Sequence, residues 1–436
     1  MPRSALFSPK LTTLALGASA LSLVVSIIVY PDQAFQSSLQ GLQLWWKLVF
    51  PALLPFLIIT ELMRGLGLLH GLGALMEPLF RILFRIPGVG GLVMAVSFTA
   101  GMPAGAAIVS TLRKSKLVTR DEGERLLAAS HLLSPIILVS VIGVGFLHSA
   151  AAGLALAVIH YGSALVLALV QRIQSQRRSA DAGHAAACDS RNPQLLPIAS
   201  PQQEGYARSF WLTLERARSD DGRTFGKLLG DAVSSGVQQL FVIGGCMMMF
   251  SVLLSAVQLS GIFEVTAAAV ASLSRDMDPS ALSSLLAAFT TGLTEPHLGA
   301  SRVAERIGLA DGGGTVLGYA VLSFLLAWGG FSTHAQVSSF TASTDLRFRK
   351  FLSARLLHGA IAFVGTVLIW TPLNRYFQEE STLSVWSPIV SLRTGWTLDQ
   401  DRWWPFISPL MLQFSSTLLV LLVLSVFAAF LFKRGR

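Results

Sequence analysis

The sequence predicts an all-α polytopic membrane protein with about 8 transmembrane helices and two re-entrant helical hairpins in two inverted repeats. Three observations carry that prediction. Residues of the 436-residue chain are 52% hydrophobic and only 13% charged, with mean hydropathy +0.60, whereas a soluble domain carries about 25% charged residues. Apolar runs of about 20 residues recur, the length needed to cross a bilayer. Two further apolar runs are interrupted by Gly, Pro and Glu, and they occupy matching places in two halves of the chain.

Residues 11–30 form the first run. About 20 apolar residues exceed the usual 7–15-residue core of a signal peptide, so the run reads as an uncleaved membrane helix. Runs 44–63, 126–147, 150–170, 228–257, 315–340, 351–370 and 407–432 complete the spans. The interrupted runs are 88–112, around "TAGMPAGA", and 280–300, around "TTGLTEPHLGA". Each is followed by a second break inside a span, "LLSPII" at Ser134 and "WGGFSTHAQ" at Phe331. Residues 171–227 are polar and contain Pro193, Pro197 and Pro201, which predicts a poorly ordered linker. Residues 371–405 form a second polar loop, whose Trp386, Trp396, Trp403 and Trp404 fit an interfacial belt.

These divisions give five regions: a membrane helix and outer loop over 1–43, a first repeat over 44–171, a linker over 172–227, a second repeat over 228–371, and an outer loop with a last membrane helix over 372–436.

Charge sets the expected orientation. If both interrupted runs enter and leave on one side, most of the 33 Lys and Arg fall on the cytoplasmic side, Arg347, Arg349, Lys350 and Arg355 among them. The other side receives Arg275, Arg302, Arg306, Arg375, Arg393 and Arg402, and Lys47 is left inside an apolar run. This obeys the positive-inside rule and places both termini in the cytoplasm. It also makes the two hairpins open to opposite sides, which inverts the repeats. A version in which 66–84 also spans keeps the same rule. The net charge of +9 is then explained by orientation, and no nucleic-acid partner is expected.

Irregular backbone at membrane depth is tolerated only where protein buries it or where it lines a wet cavity. Gly101, Pro103 and Gly105 break the first hairpin, freeing carbonyls and N–H groups that suit cations and anions respectively; Gly101 and Gly105 also have the spacing of a helix-packing face. Glu295 is a carboxylate at membrane depth, a functional candidate by default, or else a structural carboxylate satisfied by the freed N–H groups beside it. Thr291 and Thr294 add hydroxyls, and His297 could titrate. Ser332, Thr333, His334 and Gln336 make the second break unusually polar, with Ser332 and Gln336 four apart on one helix face. Ser130, His131 and Ser134 are the counterpart in the first half. Glu61 reads as interfacial; His70, His148, His160 and His358 read as structural. The expected substrate contacts are therefore Gly101, Pro103, Gly105, Ser134, Thr294, Glu295, Ser332, Thr333, His334 and Gln336. Cys188 and Cys246 suit neither a disulfide framework nor a zinc site. No nucleotide-binding loop, metalloprotease motif or base–nucleophile pair is present, so neither an enzyme nor an ATP-driven pump is expected. No cofactor is expected beyond a coupling ion, Na⁺ or H⁺.

The stretches "VFPALLPFLIITELMRGLGLLHGLGALMEPLFRILFRIPGVG", "AGMPAGAAIVSTLRKSKLVTRDEGERLL", "TGLTEPHLGAS" and "AWGGFSTHAQVSSFTASTDLRFRKFLSARLLH" resemble the YlbJ-type sporulation integral membrane proteins, also called the stage V sporulation protein VV type. The halves also resemble nucleoside-recognition Gate domains and the core of concentrative nucleoside transporters. The first resemblance implies a role in endospore formation, in the outer forespore membrane on the mother-cell side. It implies transport of dipicolinic acid, a flat aromatic dianion, from the mother cell, and thereby spore heat resistance. The second implies that nucleosides or other small anions are alternative substrates. A non-transporting scaffold for spore envelope assembly, and a homo-oligomer, fit the same resemblance. "GMPAGAA" departs from the Gly-Tyr-Pro and following Lys of the family, which leaves the first tip without a ring or a fixed cation.

Overall fold

The computed structural model describes residues 9–75, 89–181, 206–272, 279–306 and 315–382, and among these it is helical with no strand. Helix α1, Pro9–Val29, leads directly into α2, Pro31–Leu44. Pro31 occupies the first helical turn, where its missing N–H has no helical partner to lose. A π-helical turn over Trp45–Val49 passes α2 into α3, Phe50–Gly65. Together they make one apolar helix, Pro31–Gly65, of 35 residues. At 1.5 Å per residue it is roughly 50 Å long, more than a hydrocarbon core of about 30 Å requires.

After Gly65 the chain is helical again over 68–75. The first hairpin is α4, Val89–Ala100, and α5, Ala104–Lys114. Helix α6, Arg120–Ser130, starts on a capping box between Thr119 and Glu122 and stops at a non-helical stretch over 131–134. The chain continues as a π-helix over Ile137–Phe146 and then as α7, Ala150–Asp181. Helix α8, Tyr206–Asp221, precedes the second half. That half has α9, Phe225–Leu259; α10, Ile262–Ala271; a hairpin of α11, Pro279–Thr294, and α12, Pro296–Arg306; a broken helix of α13, Val316–Trp328, and α14, Gly330–Thr341; and α15, Phe348–Thr382. Long helix, short helix, hairpin, broken helix and long helix thus follow in the same order in both halves.

Helix α9 runs antiparallel to α2 and α3 along their whole length. Ser251 Oγ donates to Ser37 O at 2.6 Å, Trp45 Nε1 donates to Leu240 O at 2.9 Å, and Gly65 lies against Leu228. The Trp45 ring fits because Gly244 carries no Cβ there. Helix α15 packs on α7 and α13, with Tyr319 and Trp370 stacked at 3.8 Å. The core between these helices is built from buried Leu53, Leu138, Leu156, Leu322 and Leu325.

The broken helices run antiparallel. The start of α6 meets the end of α14, where Arg347 Nε lies 2.6 Å from Glu124, while their breaks touch at His131 and Thr333. Helix α5 runs beside α14, with Ser110 Oγ donating to Phe340 O at 2.7 Å. Helix α12 instead packs along the π-helix. The second arms of the two hairpins therefore lie along opposite ends of the broken pair.

Among the described residues, five helices are long and apolar enough to cross a membrane: Pro31–Gly65, Ala150–Ser175, Phe225–Leu259, Val316–Thr341 and Phe348–Gln378. They match five of the expected spans. The run expected over 126–147 is not one helix but α6, a gap and a π-helix. The expected span over 407–432, the loop tryptophans, and residues 76–84 of the alternative span lie outside the described residues. Two expectations are corrected. The linker is not disordered throughout: α7 extends to Asp181, and α8 packs through Phe210 and Leu214 on Gly71 and Gly67. Residues 371–382, expected in a loop, continue α15.

Candidate functional site

Both hairpins are closed by small residues. In the first, Gly105 faces Ser97 and Ser130 so closely that a Cβ has no room, which makes it a packing residue. In the second, Gly299 lies against Gly292 in the same way. The first tip turns at Gly101, with φ +74°, and continues through Met102 and Pro103. The second turns at Glu295 alone.

Breaking a buried helix strands its backbone groups, and each needs a partner. In the first break the partners come from behind. Arg355 of α15 donates to His131 O at 2.6 Å and also to Ala128 O. Tyr161 of α7 donates its hydroxyl to Leu133 O at 2.8 Å, and His160 Nε2 accepts from Leu133 N at 3.2 Å. His358 joins this group through Arg355 and Ser163. Arg355 and His358 are fully buried, so Arg355 is no surface charge at the cytoplasmic boundary, as the charge pattern suggested. It braces a helix end.

The second break and tip satisfy themselves more locally. His334 Nε2 donates to Trp328 O at 2.8 Å, and Trp328 Nε1 donates to Leu293 O at 3.0 Å. The Glu295 carboxylate, 2% exposed, accepts from Leu298 N at 2.7 Å and from His297 Nδ1 at 2.9 Å. It thereby caps the first turn of α12, where a negative charge also meets the helix dipole.

Tips and breaks converge. Gly101 sits beside Ser134, Gly329 beside His131, and Gly330 against Thr294 and Pro296. Thr333 Oγ1 lies 3.3 Å from His131 Nε2, joining the two breaks. Between them a narrow seam of about 30 Å³ is lined by Pro103, Ser134, Glu295, Ser332, Thr333 and Gln336 of the expected residues. Gly101, Gly105, Thr294 and His334 are not in that lining: the glycines shape the backbone, Thr294 donates back to Thr291 O at 2.8 Å, and His334 turns to Trp328. His297 also reaches the seam, as do Phe56 of α3 and Gln239 and Cys246 of α9. Two buried polar atoms in this lining, Ser332 Oγ and His297 Nε2, have no hydrogen-bond partner among the described residues. The seam thus offers hydroxyls, two amides, an imidazole and a carboxylate to a small polar solute. No described cluster of His, Cys, Asp and Glu could hold a metal ion.

One end of the broken pair is tied across the halves by ion pairs. Arg113 Nε lies 2.9 Å from Asp345, and buried Glu124 receives Arg347 and, at 2.6 Å, Lys350. Burial opposes the Glu124 charge, but hydrogen bonds from Arg347 and Lys350 outweigh it and hold its pKa below the ordinary value. Asp345 is held low by its hydrogen bond from Arg113.

With this geometry in view, two comparisons are informative. Residues 46–164 match the Gate family, described as nucleoside recognition. The chain is also 36% identical over 371 residues to the sporulation integral membrane protein YlbJ of Bacillus subtilis (strain 168), an alignment that covers 84% of each protein.

Proposed function

The chain belongs to the YlbJ family of sporulation integral membrane proteins, and from that premise we propose that it is a secondary transporter moving dipicolinic acid out of the mother cell across the outer forespore membrane. The observation that supports transport most is the meeting of four helix interruptions on one seam where Ser332 and His297 keep buried polar atoms unpartnered. Native proteins pair such atoms, so unpaired ones at a common seam mark a place for a ligand. The opposed hairpins and antiparallel broken helices support a reading as two inverted repeats, each carrying a re-entrant hairpin, with both termini cytoplasmic.

In this reading the described state is closed. About 30 Å³ holds a few waters at most, so a pyridine ring enters only when the hairpins and broken helices part. Ser332, Gln336 and Gln239 supply donors for carboxylate oxygens. Glu295 opposes a dianion, so loading requires its charge to be neutralised, by a proton or by Na⁺. That requirement couples the solute to an ion gradient without a nucleotide site.

The test is dipicolinate flux in proteoliposomes. Glu295→Gln and Gln336→Ala are each expected to lower flux by about tenfold or more, the worth of one or two lost polar contacts. Normal flux in both variants removes the seam from the transport path. The Gate match supports a second reading, a nucleoside as the solute. Competition by uridine but not by dipicolinate selects it. Tolerance of every seam substitution, with function lost only on linker deletion, selects a scaffold instead.

A further inference from the structure

Arg355 is fully buried in α15 and has no counter-ion among the described residues. Its guanidinium meets only neutral groups: the carbonyls of Ala128 and His131, His358 Nδ1 at 3.1 Å, and the face of Phe351 at 5.7 Å. An arginine can only donate, so His358 Nδ1 is the acceptor in that contact. Arg355 Nε, also buried, has no hydrogen-bond partner among the described residues. Arg113, Arg223 and Arg347, by contrast, each meet a carboxylate. A buried charge left without its opposite is costly. Bracing the first break does not account for the charge, because a neutral donor can brace too: the Tyr161 hydroxyl serves Leu133 O in the same break.

The guanidinium stands directly behind the seam. It holds His131 O, and Leu133, two residues further along the same non-helical stretch, lines the seam. Two residues of chain span at most about 7 Å, so the charge lies on the order of 10 Å from the seam. Packed protein fills that interval. The seam itself contains Glu295 and, among its described lining residues, no Lys or Arg. At such a range inside a protein, one charge changes the binding of one opposite charge by about tenfold.

We propose that Arg355 is the fixed counter-charge of an anionic solute in the seam, so that the site selects carboxylates over neutral solutes. The inference rests on the transporter reading only in taking the seam to be the solute site. While Glu295 is ionised, the two charges oppose each other and the seam gives a carboxylate little net attraction. Once Glu295 is neutralised, the Arg355 charge is unopposed and draws a carboxylate in. The coupling ion then acts by unmasking a permanent cation. The fixed cation that "GMPAGAA" lacks at the first tip is supplied from behind the break.

Equilibrium binding of pyridine-2,6-dicarboxylate, pyridine-2-carboxylate and pyridine-2,6-dicarboxamide to the full chain in lipid nanodiscs tests it. The three share a ring and differ in charge. Relative to the neutral diamide, Arg355→Gln is expected to weaken the dianion about a hundredfold and the monoanion about tenfold. High salt should leave these ratios in place, because a buried charge is screened little. Arg355→Lys also disturbs the brace but keeps the charge, and should hold both ratios within about threefold of wild type. Glu295→Gln should move them the other way, toward the dianion. Equal weakening of all three ligands in Arg355→Gln makes Arg355 a brace alone and overturns the counter-charge. So do ratios lost as fully in Arg355→Lys, ratios unmoved in Glu295→Gln, or a wild type that binds none of the three. Should Arg355→Gln not fold, Arg355→Lys and Glu295→Gln decide by the same ratios. Dipicolinate flux is read separately in proteoliposomes. Arg355-dependent ratios without flux remove the transporter reading and keep the counter-charge; flux with ratios unmoved by Arg355→Gln does the opposite.

Discussion

The two helix breaks begin from the same problem and solve it in different places. In the first, stranded carbonyls of Ala128, His131 and Leu133 are taken up by Arg355 and Tyr161, side chains of the long helices behind it. In the second, His334 of the break itself reaches back to Trp328, and Glu295 caps its own hairpin arm. The first break is therefore braced by its surroundings and contributes Pro103 and Ser134 to the seam. The second is braced from within and presents Glu295, Ser332, Thr333 and Gln336. An interrupted helix is a ligand site only to the degree that the rest of the protein has not already occupied its free groups.

The largest expected effect comes from removing the outside brace. Arg355→Met leaves two buried carbonyls without donors, each worth about 1–3 kcal/mol, and is expected to destabilise the protein by about 2–5 kcal/mol in a detergent unfolding assay. Arg355→Lys, which keeps the charge but not the fork, should fall between. An unchanged unfolding midpoint in Arg355→Met breaks the contrast between the two breaks.

A smaller effect is expected where the halves are tied together. The folded pKa of Glu124 is depressed, so its contribution is fully present above the unfolded carboxylate value of about 4.3 and is lost as pH falls through the folded value. Wild-type stability should therefore decline as acid is added below about pH 4. Glu124→Gln should cost about 1–3 kcal/mol at neutral pH and make the acid decline shallower. An equally steep decline in the variant assigns it to other carboxylates.

The smallest stability effect should accompany a clear loss of transport. Ser332 Oγ has no partner among the described residues to lose, so Ser332→Ala should change stability by no more than about 0.5 kcal/mol while lowering dipicolinate flux. A stability loss comparable to that of Arg355→Met places the Ser332 hydroxyl among the braces and sharpens the comparison against the proposed site.

Much of this arrangement is legible in the chain because Gly, Pro and an intramembrane Glu interrupt apolar runs, and interruptions are local. Ser332 and Gln336, four apart, do share the seam. His334, two residues from Ser332, was expected beside it, but residues two apart on a helix do not face the same way, and it turns to Trp328. Arg355, His160 and His358 were read as boundary or structural residues because nothing in a one-dimensional pattern says which distant helix end a side chain will meet. Gln239, the second of an adjacent glutamine pair, and Cys246 lie in a long apolar helix and carry no local signal. Helix α8 was hidden by the polar composition around it, although Phe210 and Leu214 already lie four apart.

The glycine pair Gly292 and Gly299 carries a mechanical consequence. With no side chains between them, the two arms of the second hairpin mesh backbone to backbone, and Gly330 fits the tip against the second break in the same manner. Arms meshed so tightly cannot scissor open without losing that contact along their length. The hairpin tip and the break behind it are thus packed as a single piece, and any side chain added at Gly299 or Gly330 has to part backbone from backbone there.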